Sequence, residues 1–205
     1  MRIAYSQELS NGIYISSSLE YGERKPLFNT TNYVVFGQED RSFTSNNPLD
    51  PSNNLSAPFE RHNIWTFNLS ANIIFGQKYL SYPNGKFSVG NRKFPSLYLG
   101  YRKTFGSSID SYNSDLLVAR LNQFVSTGSS GDLQYTIRTG AFLKQKDIAF
   151  MDYLHANGNQ LSLLPRNSAS SFSLLDYYSL SNNNKYAEAH LQHQFKGFIL
   201  GKIPL

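Results

Sequence analysis

Among the four histidines, His62, His155, His190 and His193, the last two have the spacing that first suggests metal binding. Three residues apart on a helix they would share a face, but on a strand they fall on opposite faces. The chain has no cysteine to complete a zinc set. The segment around them reads as a strand, which predicts His190 in a hydrogen-bonding network on a polar face and His193 at a membrane interface. Serine and aspartate are abundant, yet no spacing gathers a Ser, a His and an Asp at one place, as nucleophilic catalysis requires. The expectation is therefore no catalytic residue, no cofactor site and no metal site.

Charged residues give a more definite pattern. Arg2, Arg102, Arg120 and Arg138 all fall on the polar parity of their segments, as do Glu8, Glu20, Glu188 and His190. Together they form a candidate charge network lining a lumen. Such a network pairs a plug, selects anionic solutes, or simply fills an interior with matched charge. The net charge of +5 comes from scattered Lys and Arg without a dense basic run. That distribution lacks a nucleic-acid footprint, so no nucleic-acid partner is expected.

The elements that would carry these residues are long amphipathic strands. In 62–75, Trp65, Phe67, Leu69, Ala71, Ile73 and Phe75 share one parity, and Thr66, Asn68, Ser70 and Asn72 share the other. Strands of soluble domains run about five or six residues, whereas a tilted strand crossing a bilayer needs roughly nine to eleven. Similar alternation runs through 2–10 and 13–21 around Asn11-Gly12, a tight-hairpin signal, and through 96–105. It recurs at 115–126 and 132–142, and further strands are read at 170–180 and 185–199. Polar segments at 22–61 and 143–169 read as long extracellular loops, with a helical turn expected near Asp147 to His155. About eight strands with alternating short and long connections predict an all-β, antiparallel up-and-down transmembrane β-barrel segment. It is read as one region over 1–205, an incomplete barrel, open or partly closed.

Composition agrees with that architecture. Fourteen Tyr and fifteen Phe stand beside only 16% charged residues, whereas average domains carry about 25%. Polar faces of Ser, Thr, Asn, Gln and Tyr with spaced Arg suit a lumen, since solvent-facing surfaces carry more Lys and Glu. No run of eighteen apolar residues forms a membrane helix. Two other classes stay open: a soluble β-sandwich binding carbohydrate through surface Tyr and Trp65, and a barrel hydrolase. Met1 leads at once into strand-like residues rather than a signal peptide, so in an exported protein either the signal has been removed or this chain is an internal piece of a longer one, and the second reading is favoured.

The C-terminal third, Ser171-Phe-Ser-Leu-Leu-Asp-Tyr-Tyr and 185–205, adds a resemblance. Together with His155-Ala-Asn-Gly-Asn159 and Tyr82-Pro-Asn-Gly-Lys-Phe87, it resembles an outer-membrane barrel family of unknown function. Members of that family carry an N-terminal carboxypeptidase-regulatory-like domain. The resemblance implies a longer parent whose barrel continues beyond this chain, and it brings no activity or catalytic residue. The expected location is the bacterial outer membrane. The expected partners are outer-membrane lipid, the remainder of the parent polypeptide, and periplasmic or surface proteins. The expected role is non-enzymatic, in transport, assembly or surface interaction.

Overall fold

The computed structural model describes residues 1–29, 33, 44–89, 93–159 and 169–196. Its main body is an antiparallel sheet of seven strands. They are β1 (Arg2–Ser10), β2 (Ile13–Arg24), β3 (His62–Ile74), β6 (Ser96–Phe105), β7 (Ser114–Ser126), β8 (Asp132–Lys144) and β11 (Lys185–Gln194). A hairpin, β4 (Lys78–Tyr82) and β5 (Gly85–Val89), interrupts the chain between β3 and β6. A short parallel pair, β9 (Gly158–Asn159) and β10 (Phe172–Ser173), lies between β8 and β11. The main strands pair in chain order, β1-β2-β3-β6-β7-β8-β11. This is the up-and-down antiparallel arrangement that the alternation predicts; β1 and β11 are its two edges and do not pair with each other.

The register follows from the alternation, because a slip of one residue would exchange every polar side chain for an apolar one. Ser16 stands opposite Ser6 and Ser70, and Asn68 opposite Ser18 and Arg102. On the other face Ile15, Ala71, Leu99, Ala119 and Thr139 form one transverse row. Connections at one end include the tight turn at Asn11-Gly12. Gly12 has φ +81°, and a Cβ there would lie 2.5 Å from the Ile74 carbonyl oxygen, so a glycine is required. Of the three connections at the other end two are long, 25–61 and 145–184, and 106–113 is shorter.

Two expectations need correction. The strand read at 170–180 is reduced to the two residues Phe172–Ser173, paired in parallel with Gly158–Asn159. Leu174 and Tyr178 have positive φ, 58° and 65°, which breaks an extended run. The main sheet therefore has seven strands rather than about eight. The hairpin β4–β5, read only as a turn around Pro83-Asn84-Gly85, is a pair of strands. Strands also reach further than expected, with β2 running to Arg24 and β8 to Lys144. A 3-10 turn at Phe150–Asp152 lies where the helical turn was expected. The last residues of the strand read at 185–199 lie outside the described residues.

Glycines on the polar face make room for rings. A Cβ at Gly140 would meet Tyr186 Cε1 at 2.3 Å and Leu154 Cδ1 at 3.2 Å. Gly140→Ala is therefore expected to destabilise the protein by about 1–3 kcal/mol through overpacking. Adding Tyr186→Ala should recover part of that loss, as read from urea midpoints of the single and double variants. Independent, additive losses would mean that the ring does not pack on the glycine.

Candidate functional site

The polar face carries a folded cover. Its buried apolar cluster is Leu116, Phe142 and Ile148, with Val118, Tyr153 and Leu154 packed against it. Leu116, Val118 and Phe142 belong to the same parity as Arg102, Arg120 and Arg138. Ile148, Tyr153 and Leu154 come from the connection between β8 and β11. The segment 145–159 thus lies over the polar face of β6, β7 and β8. It is joined to the second half of the same connection by the Leu154–Asn182 bridge, with backbone bonds of 2.8 and 2.9 Å. The Asn183 amide also donates to the Tyr153 hydroxyl at 3.3 Å.

An ionic clamp holds this cover down. Asp152, 3% exposed, accepts from Arg24 Nη1 at 2.6 Å, and Arg102 Nη2 donates to the Asp152 backbone carbonyl at 2.9 Å. Arg24 ends β2 and Arg102 sits on β6, so two strands reach the same loop residue. Neither Arg24 nor Asp152 stood out in the sequence. Arg24 lies in what read as the start of a polar loop, and its partner is 128 residues away.

The eight residues expected to form one network divide into separate groups. Glu8, Arg120, Arg138 and Glu188 do share one transverse row, Glu8–Tyr14–Asn72–Tyr98–Arg120–Arg138–Glu188. Strands lie about 4.8 Å apart, so Glu8 and Arg120 are separated by about 19 Å along the sheet and cannot pair. Arg138 instead bonds Glu188 at 3.1 Å, and His190 Nε2 lies 3.8 Å from the same carboxylate. Arg120 stacks on Tyr98 at 5.3 Å from the ring centroid. Arg2 and Glu20 face each other in register, both exposed. Glu8 accepts from the Gly12 backbone N–H at 3.0 Å and from the Tyr79 hydroxyl. That carboxylate pushes the Tyr79 phenol above its ordinary range.

The histidines take structural positions. His190 packs against Phe172, with ring centroids 4.5 Å apart, on the polar face. His193, on the other parity, packs against Phe195 with ring centroids 4.2 Å apart and the rings tilted. His62 is 2% exposed, wedged between Phe59 and Tyr112, with Nδ1 2.7 Å from the Glu60 carbonyl. His155 Nδ1 is 2.8 Å from Ser181 Oγ. That hydroxyl already donates to the Tyr178 carbonyl at 2.8 Å, so the pair stitches a turn. Burial lowers the pKa of His155, partly offset by a hydrogen bond to the Phe150 backbone. Among the described residues, no three His, Asp or Glu side chains converge as a metal site.

Among the described residues nothing covers the opposite face. Leu69, Leu99, Leu117 and Ile137 are 42–45% exposed and Leu191 is 75% exposed. Small residues Ala71, Ala119 and Ala141 leave a shallow apolar depression between Ile15, Leu69, Leu99 and Leu117. At the end of the sheet bearing the long connections, Trp65 lies 4.8 Å from Tyr21 and 6.4 Å from Phe105, centroid to centroid. The site is thus a polar, charged sheet face covered by the chain's own loop over β6, β7 and β8, backed by an apolar face that is bare among the described residues.

Neither the curated proteins nor the solved structures contain a match to this chain. A family model does match, the C-terminal domain of a family of unknown function (DUF5686), and it covers residues 1–205. Since that match spans the whole seven-stranded sheet and its covering loop, the chain belongs to the DUF5686 family, as its C-terminal domain.

Proposed function

We propose that this domain is a wall segment of a bacterial outer-membrane β-barrel, non-enzymatic, with its polar face turned to the lumen and its apolar face to lipid. The observation that carries this reading is the inversion of the two faces. In a soluble sandwich the apolar parity packs inward and the polar parity meets water. Here the loop and the buried cluster cover the polar parity of β6, β7 and β8, while among the described residues no protein layer lies over the apolar parity of the seven strands. Apolar exposure on this scale marks a surface that meets another apolar phase.

Dimensions support the same reading. β3 runs from His62 to Ile74, and its twelve residue steps at about 3.3 Å give about 40 Å of strand. At the tilt of roughly 40° that outer-membrane barrels adopt, this spans about 30 Å, enough to cross their apolar band of about 25 Å. Tyr21, Trp65 and Phe105 supply an aromatic girdle at one boundary. The free edges of β1 and β11 would pair with each other or with further strands of the parent polypeptide, because an open edge is not tolerated in lipid. In that parent, a carboxypeptidase-regulatory-like domain would precede the barrel. A loop lying over β6, β7 and β8 would narrow the lumen of such a barrel, which suits a gated transport or assembly role or contact with a surface partner.

The test is fractionation and gel mobility. The full-length protein is expected in the outer-membrane fraction, soluble only with detergent, and to migrate faster before boiling than after. Recovery as a monomer from detergent-free buffer would overturn the proposal.

A further inference from the structure

The hairpin β4–β5 is amphipathic in its own right. Leu80 faces Phe87, Tyr82 faces Gly85, and Lys78 faces Val89, all on one side. Tyr79, Ser81, Lys86 and Ser88 occupy the other. The apolar side is bare, with Leu80, Tyr82, Phe87 and Val89 between 40% and 58% exposed. Tyr82 and Phe87 meet edge to face at 5.3 Å. An isolated hairpin of this length is marginal in water, and its ties to the main sheet run through the polar side. The Tyr79 hydroxyl lies 2.6 Å from that of Tyr14 and donates to Glu8.

Those ties orient it. Glu8 and Tyr14 stand on the polar parity of the main sheet, so the side of the hairpin bearing Tyr79 turns toward the lumen. The side bearing Leu80, Tyr82, Phe87 and Val89 turns away from it. Phe75, 43% exposed, directly follows β3 in the turn that leads into this element. We infer that the hairpin is an interfacial foot, its apolar side seated in the headgroup and acyl boundary of the bilayer beside the barrel rim. Lys78 on that side suits anionic lipid phosphates, with its stem lying along apolar surface and its ammonium in the headgroups. This rests on reading the sheet as a membrane wall.

The domain has no cysteine, so the full-length protein, with any cysteine outside the domain replaced by serine, takes single labels. Leu80→Cys, Phe87→Cys, Ser81→Cys, Ser88→Cys and Leu99→Cys each receive an environment-sensitive fluorophore. Each protein is refolded into phosphatidylcholine–phosphatidylglycerol vesicles containing lipid spin-labelled near the headgroup, and retained heat-dependent mobility verifies the fold. Labels at 80 and 87 are expected to be blue-shifted and quenched several-fold more than labels at 81 and 88, with 99 also quenched. If 99 is quenched but 80 and 87 behave like 81 and 88, the wall stands and the foot is overturned. Protection of 80 and 87 that arises only when a protein partner is added, without lipid quenching, also overturns it and assigns the side to protein. If 99 itself is unquenched, the membrane reading falls and the foot with it.

Discussion

Asp152→Ala is expected to release the 145–159 segment from the polar face, at a local cost of about 3 kcal/mol. The carboxylate is 5% exposed and its partner Arg24 is 23% exposed, so the pair is largely removed from water. Removing the acid leaves Arg24 close to Arg102 with no opposing charge between them, and an unpaired buried charge costs more than the pair contributes. The loss falls on the loop rather than on the whole sheet, because the strands keep their ladders. Limited proteolysis should therefore cut within 145–184 well before the sheet unfolds. In planar bilayers the variant of the full-length protein should pass more current than wild type. Asp152→Asn, which keeps the volume and an acceptor, should fall between the two. An Asp152→Ala protein with unchanged protease sensitivity would show that the clamp does not hold the cover.

Ala119→Arg is expected to destabilise the protein in lipid by about 2–4 kcal/mol, the cost of a cation near the bilayer midplane on the lipid face. Ala119 sits mid-row between Leu99 and Thr139 on the bare apolar parity. Ser70→Arg, on the other parity of β3, faces the polar surface and should shift stability by less than about 1 kcal/mol. Equilibrium urea unfolding in vesicles reads both. The contrast separates the environments, since an exposed residue of a water-facing sheet tolerates arginine within about 0.5 kcal/mol. Equal, small effects at 119 and 70 would therefore contradict a lipid-facing wall.

How much could be read in advance depended on the range of the interaction involved. Period-two alternation is local, so β1, β2, β3, β6, β7, β8 and the start of β11 were legible from their residues, as was the turn at Asn11-Gly12. The hairpin β4–β5 was missed because Leu80, Tyr82, Phe87 and Val89 make too short an alternation to stand out beside Pro83. The segment 170–180 was misread because Phe172, Leu174 and Tyr178 mimic strand composition, while positive φ at Leu174 and Tyr178 bends the chain away. Parity correctly placed Arg120, Arg138, Glu188 and His190 on one face. It could not show how far apart Glu8 and Arg120 lie, since distance across a sheet depends on strand order.

The amino-acid sequence by itself determined which side chains share a face, because the backbone pleat alternates them whatever surrounds the strand. Which face is covered was decided only by the tertiary structure. The loop carrying Ile148, Asp152 and Leu154 returns across the polar parity and meets Arg24, Arg102, Leu116 and Phe142 there. Those contacts join residues up to 128 positions apart, and no local pattern encodes them. The same fold leaves the Leu99 and Ala119 row bare, and that bareness turns a pattern of alternation into an argument about solvent.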